Sequence, residues 1–248
     1  MSTEPILALD QVVAGYGKTT ILNGTIARIT RGAITTVIGP NGAGKSTMFK
    51  TIFGLLPARS GTVSFNGRDT TNFLPRQMLD AGVVYIPQGR NIFPELSVRH
   101  NLELGGVALS DHAGLPDRMD RIMQRFPMLR EKSSAQASTL SGGQQKMLEV
   151  ARGLLLDPKL ILIDEPSIGL SPLMVQEVFA IMKSLRDNGV TIVLIEQNAK
   201  QALQISDHGL VLEQGQTRIE DTAPKILADP RIAQLFLGGG LPQPERMP

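Results

Sequence analysis

"VIGPNGAGKSTMF", residues 37–49, passes from an apolar, strand-like run through a glycine-rich loop into a helical pattern. Gly39, Gly44, Lys45 and Ser46 stand at the G-x-x-x-x-G-K-[ST] spacing of a phosphate-binding loop. Such a loop must turn backbone N–H groups onto phosphate oxygens, so glycines remove side chains and allow unusual backbone angles. The helix that follows aims its positive N-terminal end at the same anion. The candidate cradle therefore runs from Gly39 through Pro40, Asn41, Gly42, Ala43 and Gly44 to Lys45, Ser46 and Thr47. Lys45 supplies charge to the β- and γ-phosphates, and the Ser46 hydroxyl is suited to ligating magnesium. A nucleoside triphosphate is the expected ligand.

Working outward, short β-like runs fill residues 5–38, and "GTVSFNGRD" reads as a strand entering a hairpin at Asn66-Gly67. "VVYIP" at 83–87 reads as a short buried strand, and residues 95–135 as mainly helical, with breaks at Gly105-Gly106 and Gly114–Pro116. Further on, helices expected at 142–156 and 172–187 precede the apolar strands "LILID" and "TIVLIE". Apolar strands alternating with helices predict a doubly wound α/β core with parallel strands buried on both faces. A short helix from Ala199, strands around "GLVLEQG" and "QTRIE" and two short helices follow, and 238–248 reads as a flexible tail.

Composition narrows the classes. The chain has 248 residues, 42% of them hydrophobic, enough for one large domain with a sizeable core. A net charge of +2 with interspersed signs gives no basic footprint for nucleic acid. There is no cysteine, which excludes disulfides and thiolate chemistry. The start, "MSTEPILALD", lacks the features of a secretory signal. No apolar run approaches the roughly 18 residues of a membrane span. Work at a membrane would need another chain.

"LILIDEP" sets Asp164 and Glu165 at the C-terminal end of a buried strand, the edge where open α/β sheets bind ligands. Asp164 is suited to holding a magnesium-bound water, and Glu165 to polarising the water that attacks the γ-phosphate. A second glycine-bearing helix start appears in "LSGGQ": Ser141, Gly142, Gly143 and Gln144 offer another set of N–H groups for an anion.

In this order, "GPNGAGKST", Gln88 in "YIPQGR", "LSGGQ" and "ILIDEPS" resemble the nucleotide-binding subunit of an ATP-binding cassette (ABC) transporter over residues 5 to about 237. The resemblance implies a P-loop NTPase cassette of α/β class. It would have a mostly parallel core sheet, an N-terminal antiparallel β subdomain and an inserted helical subdomain at roughly 90–157, all within one domain at 1–237. It further implies that ATP and Mg2+ are the ligands, that Tyr16 stacks on adenine, and that Gln88 senses the metal with Ser46 and Asp164. Two cassettes would join head to tail, each "LSGGQ" meeting the γ-phosphate held by the other chain.

One departure stands out. Where family members usually carry a switch histidine, "VTIVLIEQNAK" places Gln197, which donates a hydrogen bond but cannot become a cation. His100 and His208 read as solvated or merely hydrogen-bonded. The "EQN" variant, with "PQGRNIFPELSVRHNLELGG" and "SIGLSP", is similar to one ATPase subunit of importers for branched-chain amino acids and related urea or amide substrates. That resemblance implies permease subunits and a second, histidine-bearing ATPase as partners. It also implies a periplasmic or extracellular substrate-binding protein and a peripheral place on the cytoplasmic face of the plasma membrane. A homodimer, and a lipopolysaccharide-type exporter engine, stand as alternatives. Apolar Ile92 and Phe93, just past Gln88, mark a candidate permease dock or a contact with the chain's own helices.

Overall fold

The computed structural model describes residues 4–109 and 112–232. The tail expected at 238–248 lies outside them. Two sheets form the framework. Strands β1 (Leu7–Tyr16), β2 (Thr19–Ile29), β4 (Ala58–Phe65) and β5 (Arg68–Asp69) make an antiparallel sheet of order β2-β1-β4-β5. The other sheet joins β3 (Ile34–Ile38), β6 (Val83–Ile86), β7 (Leu160–Asp164), β8 (Thr191–Ile195), β9 (His208–Glu213) and β10 (Gln216–Thr222) in the order β10-β9-β3-β8-β7-β6. All its pairings are parallel except β9 with β10.

Every residue of β3, β7 and β8 is buried, which accounts for their unbroken apolar runs. Alternation decides which core each side chain joins. Ile161, Ile163, Ile192 and Leu194 pack with the helical region, whereas Leu160, Leu162, Val193 and Ile195 pack beneath the antiparallel sheet.

Helix α1 (Lys45–Ile52) follows β3 directly. A helix not anticipated from sequence, α2 (Pro75–Ala81), begins on Pro75 and stops at left-handed Gly82. Between β6 and β7 lie α3 (Val98–Gly105), α4 (Leu115–Arg125), α5 (Pro127–Glu131) and α6 (Gly142–Leu154). The break between α4 and α5 is additional to the glycine breaks. Phe126, buried and followed by proline, leaves the helical region at φ −122°, ψ 76°. Helices α7 (Pro172–Asp187), α8 (Ala199–Gln204) and α9 (Ala223–Ala228) complete the chain.

One turn ties the two sheets and the P-loop together. Gly215, between β9 and β10, donates its N–H to the Ala43 carbonyl at 2.9 Å. Its own carbonyl accepts from Asn23 N–H at 2.9 Å and from the Thr25 hydroxyl at 2.6 Å.

Candidate nucleotide site

Strand register gathers the candidate residues at one edge. Ile195 of β8 lies opposite both Val37 of β3 and Asp164 of β7, and Ile86 of β6 lies opposite Ile163. The chain leaves these strands as the P-loop, as Glu165, as the segment carrying Gln197 and as the segment carrying Gln88. The segments come from distant parts of the sequence and meet because the strands that deliver them are neighbours.

The P-loop wraps a cavity of about 240 Å3 lined by Asn41 to Thr47 with Ile21 and Glu165. Gly39 is required sterically, since a Cβ there would lie 2.0 Å from the Leu212 carbonyl oxygen. Gly44 holds φ 102° directly before α1, a left-handed angle that side chains disfavour. Lys45 bridges the loop, donating from Nζ to the carbonyls of Gly39 at 2.9 Å and Pro40 at 3.1 Å. Burial lowers its pKa, and the nearby Glu165 and Asp164 oppose that shift. Tyr16, at the end of β1, is 47% exposed, with Lys50 Nζ 5.8 Å from its ring centroid.

Asp164 is buried, and burial raises its pKa against the opposing effect of the Ser46 hydroxyl that donates to it. Tyr85 hydroxyl donates weakly to its Oδ2 at 3.4 Å, whereas Oδ1 has no hydrogen-bond partner. Glu165 carries two amides on one oxygen: Gln88 Nε2 donates to its Oε2 at 2.6 Å and Gln197 Nε2 at 2.9 Å. Its backbone stands at φ 49°, outside the usual range for a non-glycine residue. The Glu165 N–H donates to the Ile195 carbonyl at 2.9 Å.

Ser141–Gln144 form a separate station. The Ser141 hydroxyl accepts from Gln144 N–H, and Gln144 Oε1 accepts from Ser141 N–H, a reciprocal cap on α6. Lys132 Nζ also donates to Gln144 Oε1, at 3.2 Å. Lys132, Leu170 and Met174 stand against this station. The two glycines differ. A Cβ on Gly143 would meet Met174 Sδ at 2.2 Å, so its smallness lets α6 close on α7, whereas a Cβ on Gly142 would only touch Leu170 at 3.4 Å.

Several polar residues were not apparent from sequence. Helix α6 grips the segment after Gln88. Lys146 Nζ donates to the Gly89 carbonyl at 3.1 Å and pairs with Glu149 at 2.5 Å, and Glu149 accepts Asn91 N–H at 2.6 Å. Arg152 donates to the Asn91 carbonyl and lies 5.2 Å from the Phe93 ring centroid. An i, i+3 charge pair in "KMLE" was the available signal. Beside this grip opens a groove of about 280 Å3, its lining including Phe53, Leu104, Glu149 and Arg152. Ile92 turns inward against the core, while Phe93 stays 46% exposed.

Comparison with known proteins fits this arrangement. Residues 22–168 match the family described as ABC transporter. The chain is 39% identical over 234 residues to the high-affinity branched-chain amino acid transport ATP-binding protein BraG of Pseudomonas aeruginosa, covering 94% of this chain and 100% of that protein. It is 38% identical to the probable branched-chain amino acid transport ATP-binding protein LivF of Archaeoglobus fulgidus, with 91% and 95% covered. Against the lipopolysaccharide export system ATP-binding protein LptB of Escherichia coli K12 the identity is 31%, with 85% and 88% covered. The solved ADP conformation of MJ1267, an ATP-binding cassette of an ABC transporter, superposes with a TM-score of 0.86 at 29% identity, covering 95% of this chain and all of that one. The chain belongs to the ABC transporter ATP-binding family, whose cassettes hydrolyse ATP.

Proposed function

We propose that this chain is an ATP-hydrolysing subunit of an importer for branched-chain or related amino acids, with two ATPs bound between head-to-tail cassettes. The carrying observation is its 39% identity to BraG across the whole of that protein, against 31% to LptB over less of each chain. Among the described residues no helix is long and apolar enough to cross a membrane. The membrane path is accordingly assigned to permease subunits, and the cargo to a periplasmic or extracellular binding protein. The chain itself sits at the cytoplasmic face of the plasma membrane.

The donor set fits magnesium: one hydroxyl on Ser46 and one carboxylate on Asp164 whose Oδ1 lacks a partner. Mg2+ usually takes one or two carboxylates and fills its remaining positions with phosphate oxygens and water. When bound, it neutralises developing charge on the phosphates. Gln88 reaches this centre through Glu165. The 39–47 backbone and Lys45 hold the triphosphate, and Tyr16 offers its ring to adenine. Glu165 accepts a proton from the water that attacks the γ-phosphorus, and the bond to the β-phosphate oxygen breaks to leave ADP and phosphate. Gln197 orients Glu165 and donates to the γ-phosphate as a neutral amide, so charge stabilisation at this chain's own site is weaker than a histidine cation gives. Ser141 to Gln144 serve the nucleotide of the opposite cassette. The partner cassette in this reading is a second, histidine-bearing ATPase.

The test is to affinity-tag the chain in its native cell, identify what co-purifies, and compare Glu165→Gln with the equivalent change in the partner. Two permeases with a second ATPase are expected, with a larger loss of ATP turnover from the partner's change. Equal losses would remove the asymmetry, and recovery of this chain alone with an export-type permease would remove the importer reading.

A further inference from the structure

A buried carboxylate lies next to Gln197 and has no assigned role. Glu196 is 2% exposed. Its Oε1 accepts the Ser167 backbone N–H at 2.8 Å and its Oε2 accepts the Ser167 hydroxyl at 2.6 Å. Ser167 stands two residues past Glu165, on the loop that leads into α7. The bond therefore joins the chain just after the candidate base to the chain just before its amide partner, 29 residues away.

These contacts close a ring. Glu165 N–H donates to the Ile195 carbonyl, Glu196 holds Ser167, and Gln197 Nε2 returns to Glu165 Oε2. With both strand ends pinned on each side of the carboxylate, Gln197 and Glu165 cannot shift independently. Stability alone does not call for a charge here. Burying a carboxylate that has no cationic partner costs free energy, which the neutral donors of Ser167 only offset. Burial raises the Glu196 pKa, the donors from Ser167 and the Gln197 backbone oppose that shift, and the nearby Glu165 carboxylate adds to it.

We propose that Glu196 is a positioning residue: by clasping Ser167 it fixes the loop after Glu165 against the segment carrying Gln197, and so sets the distance and angle between Glu165 and Gln197 during hydrolysis. The proposal rests on the reading of Glu165 as the base. Geometry is where such a residue acts, because misplacing a catalytic group by about 1 Å costs on the order of 100-fold in rate.

The experiment measures steady-state ATPase kinetics, binding of a fluorescent ATP analogue and thermal unfolding for the full chain, its Glu196→Ala, Ser167→Ala, Ser167→Thr and Glu165→Gln variants, and the double variant combining Glu196→Ala with Ser167→Ala. Expected is a fall of about 10- to 100-fold in kcat for Glu196→Ala, with KM and analogue affinity within about twofold of the parent. Ser167→Ala loses part of that activity, Ser167→Thr keeps it by retaining the hydroxyl, and the double alanine variant is no worse than Glu196→Ala. Should Glu196→Ala not fold, the Ser167 pair decides on the same kcat criterion. Parent-like kcat in Glu196→Ala beside an inactive Glu165→Gln overturns the positioning role and leaves the base intact. A joint loss of kcat, analogue binding and thermal stability overturns it in favour of a scaffold role. A fully active Glu165→Gln overturns the base itself, and the proposal with it.

Discussion

Gly142 and Gly143 are one bond apart and have different duties. Gly143 sits under Met174, and an added methyl would meet the Met174 Cβ and Cγ as well as the sulfur, so rotating the thioether away does not relieve it. Overpacking of this kind costs about 1–3 kcal/mol, and the better helix propensity of alanine returns at most about 1 kcal/mol. Gly143→Ala is expected to destabilise the chain by about 1–2 kcal/mol in urea unfolding. Gly142→Ala, which meets only Leu170, should leave stability equal or higher and lower ATP turnover in the assembled cassettes instead. Lys45, Asp164 and Glu165 are legible in the sequence because each lies beside a local motif that explains it. Glu196 is not, since its partner Ser167 approaches only once β7 and β8 have paired. The same limit hid the convergence of Gln88 and Gln197 on one carboxylate oxygen.

At the scale of elements, α6 carries two loads. Its first turn bears the "LSGGQ" cap, and its middle holds the segment following Gln88 through Lys146, Glu149 and Arg152. Lys146 and Glu149 are both buried, and removing one member of such a pair strands the other's charge. Glu149→Ala should cost about 3–5 kcal/mol of unfolding free energy, and adding Lys146→Met should recover much of it, which a urea titration of both variants reads directly. Helices α6 and α7 were legible because an N-cap serine precedes each and a long amphipathic pattern follows. Helix α2 was not, because it spans 7 residues and buries only Met78, too little for a period to show. Its punctuation was nevertheless present, Pro75 at the start and Gly82 at the stop.

For the whole molecule, the proposed reading places the permease contact in the groove beside the α6 grip, because the residues that line it also hold the chain next to Gln88. Phe93 is the exposed apolar group beside it, while Ile92, indistinguishable from it in sequence, is committed to the core. On the proposed reading of a branched-chain amino acid importer, Phe93→Asp should cut uptake of labelled leucine by at least about tenfold in a cell depending on this chain, while the purified variant binds ATP like the parent; uptake at parental level with normal assembly would refute the dock. The alternation of apolar strands and helices made the parallel core legible, but the crossing of distant segments was not. The turn at Gly215 is the extreme case, its carbonyl taking the Thr25 hydroxyl across 190 residues while its N–H buttresses Ala43 in the P-loop. A ribosome adding about 5–20 residues per second needs roughly 10–40 s to make that interval. For most of that time the nascent chain carries the "GPNGAGKST" loop, residues 39–47, without the hairpin that braces it. The brace on the P-loop is therefore among the last contacts of the fold that synthesis makes available.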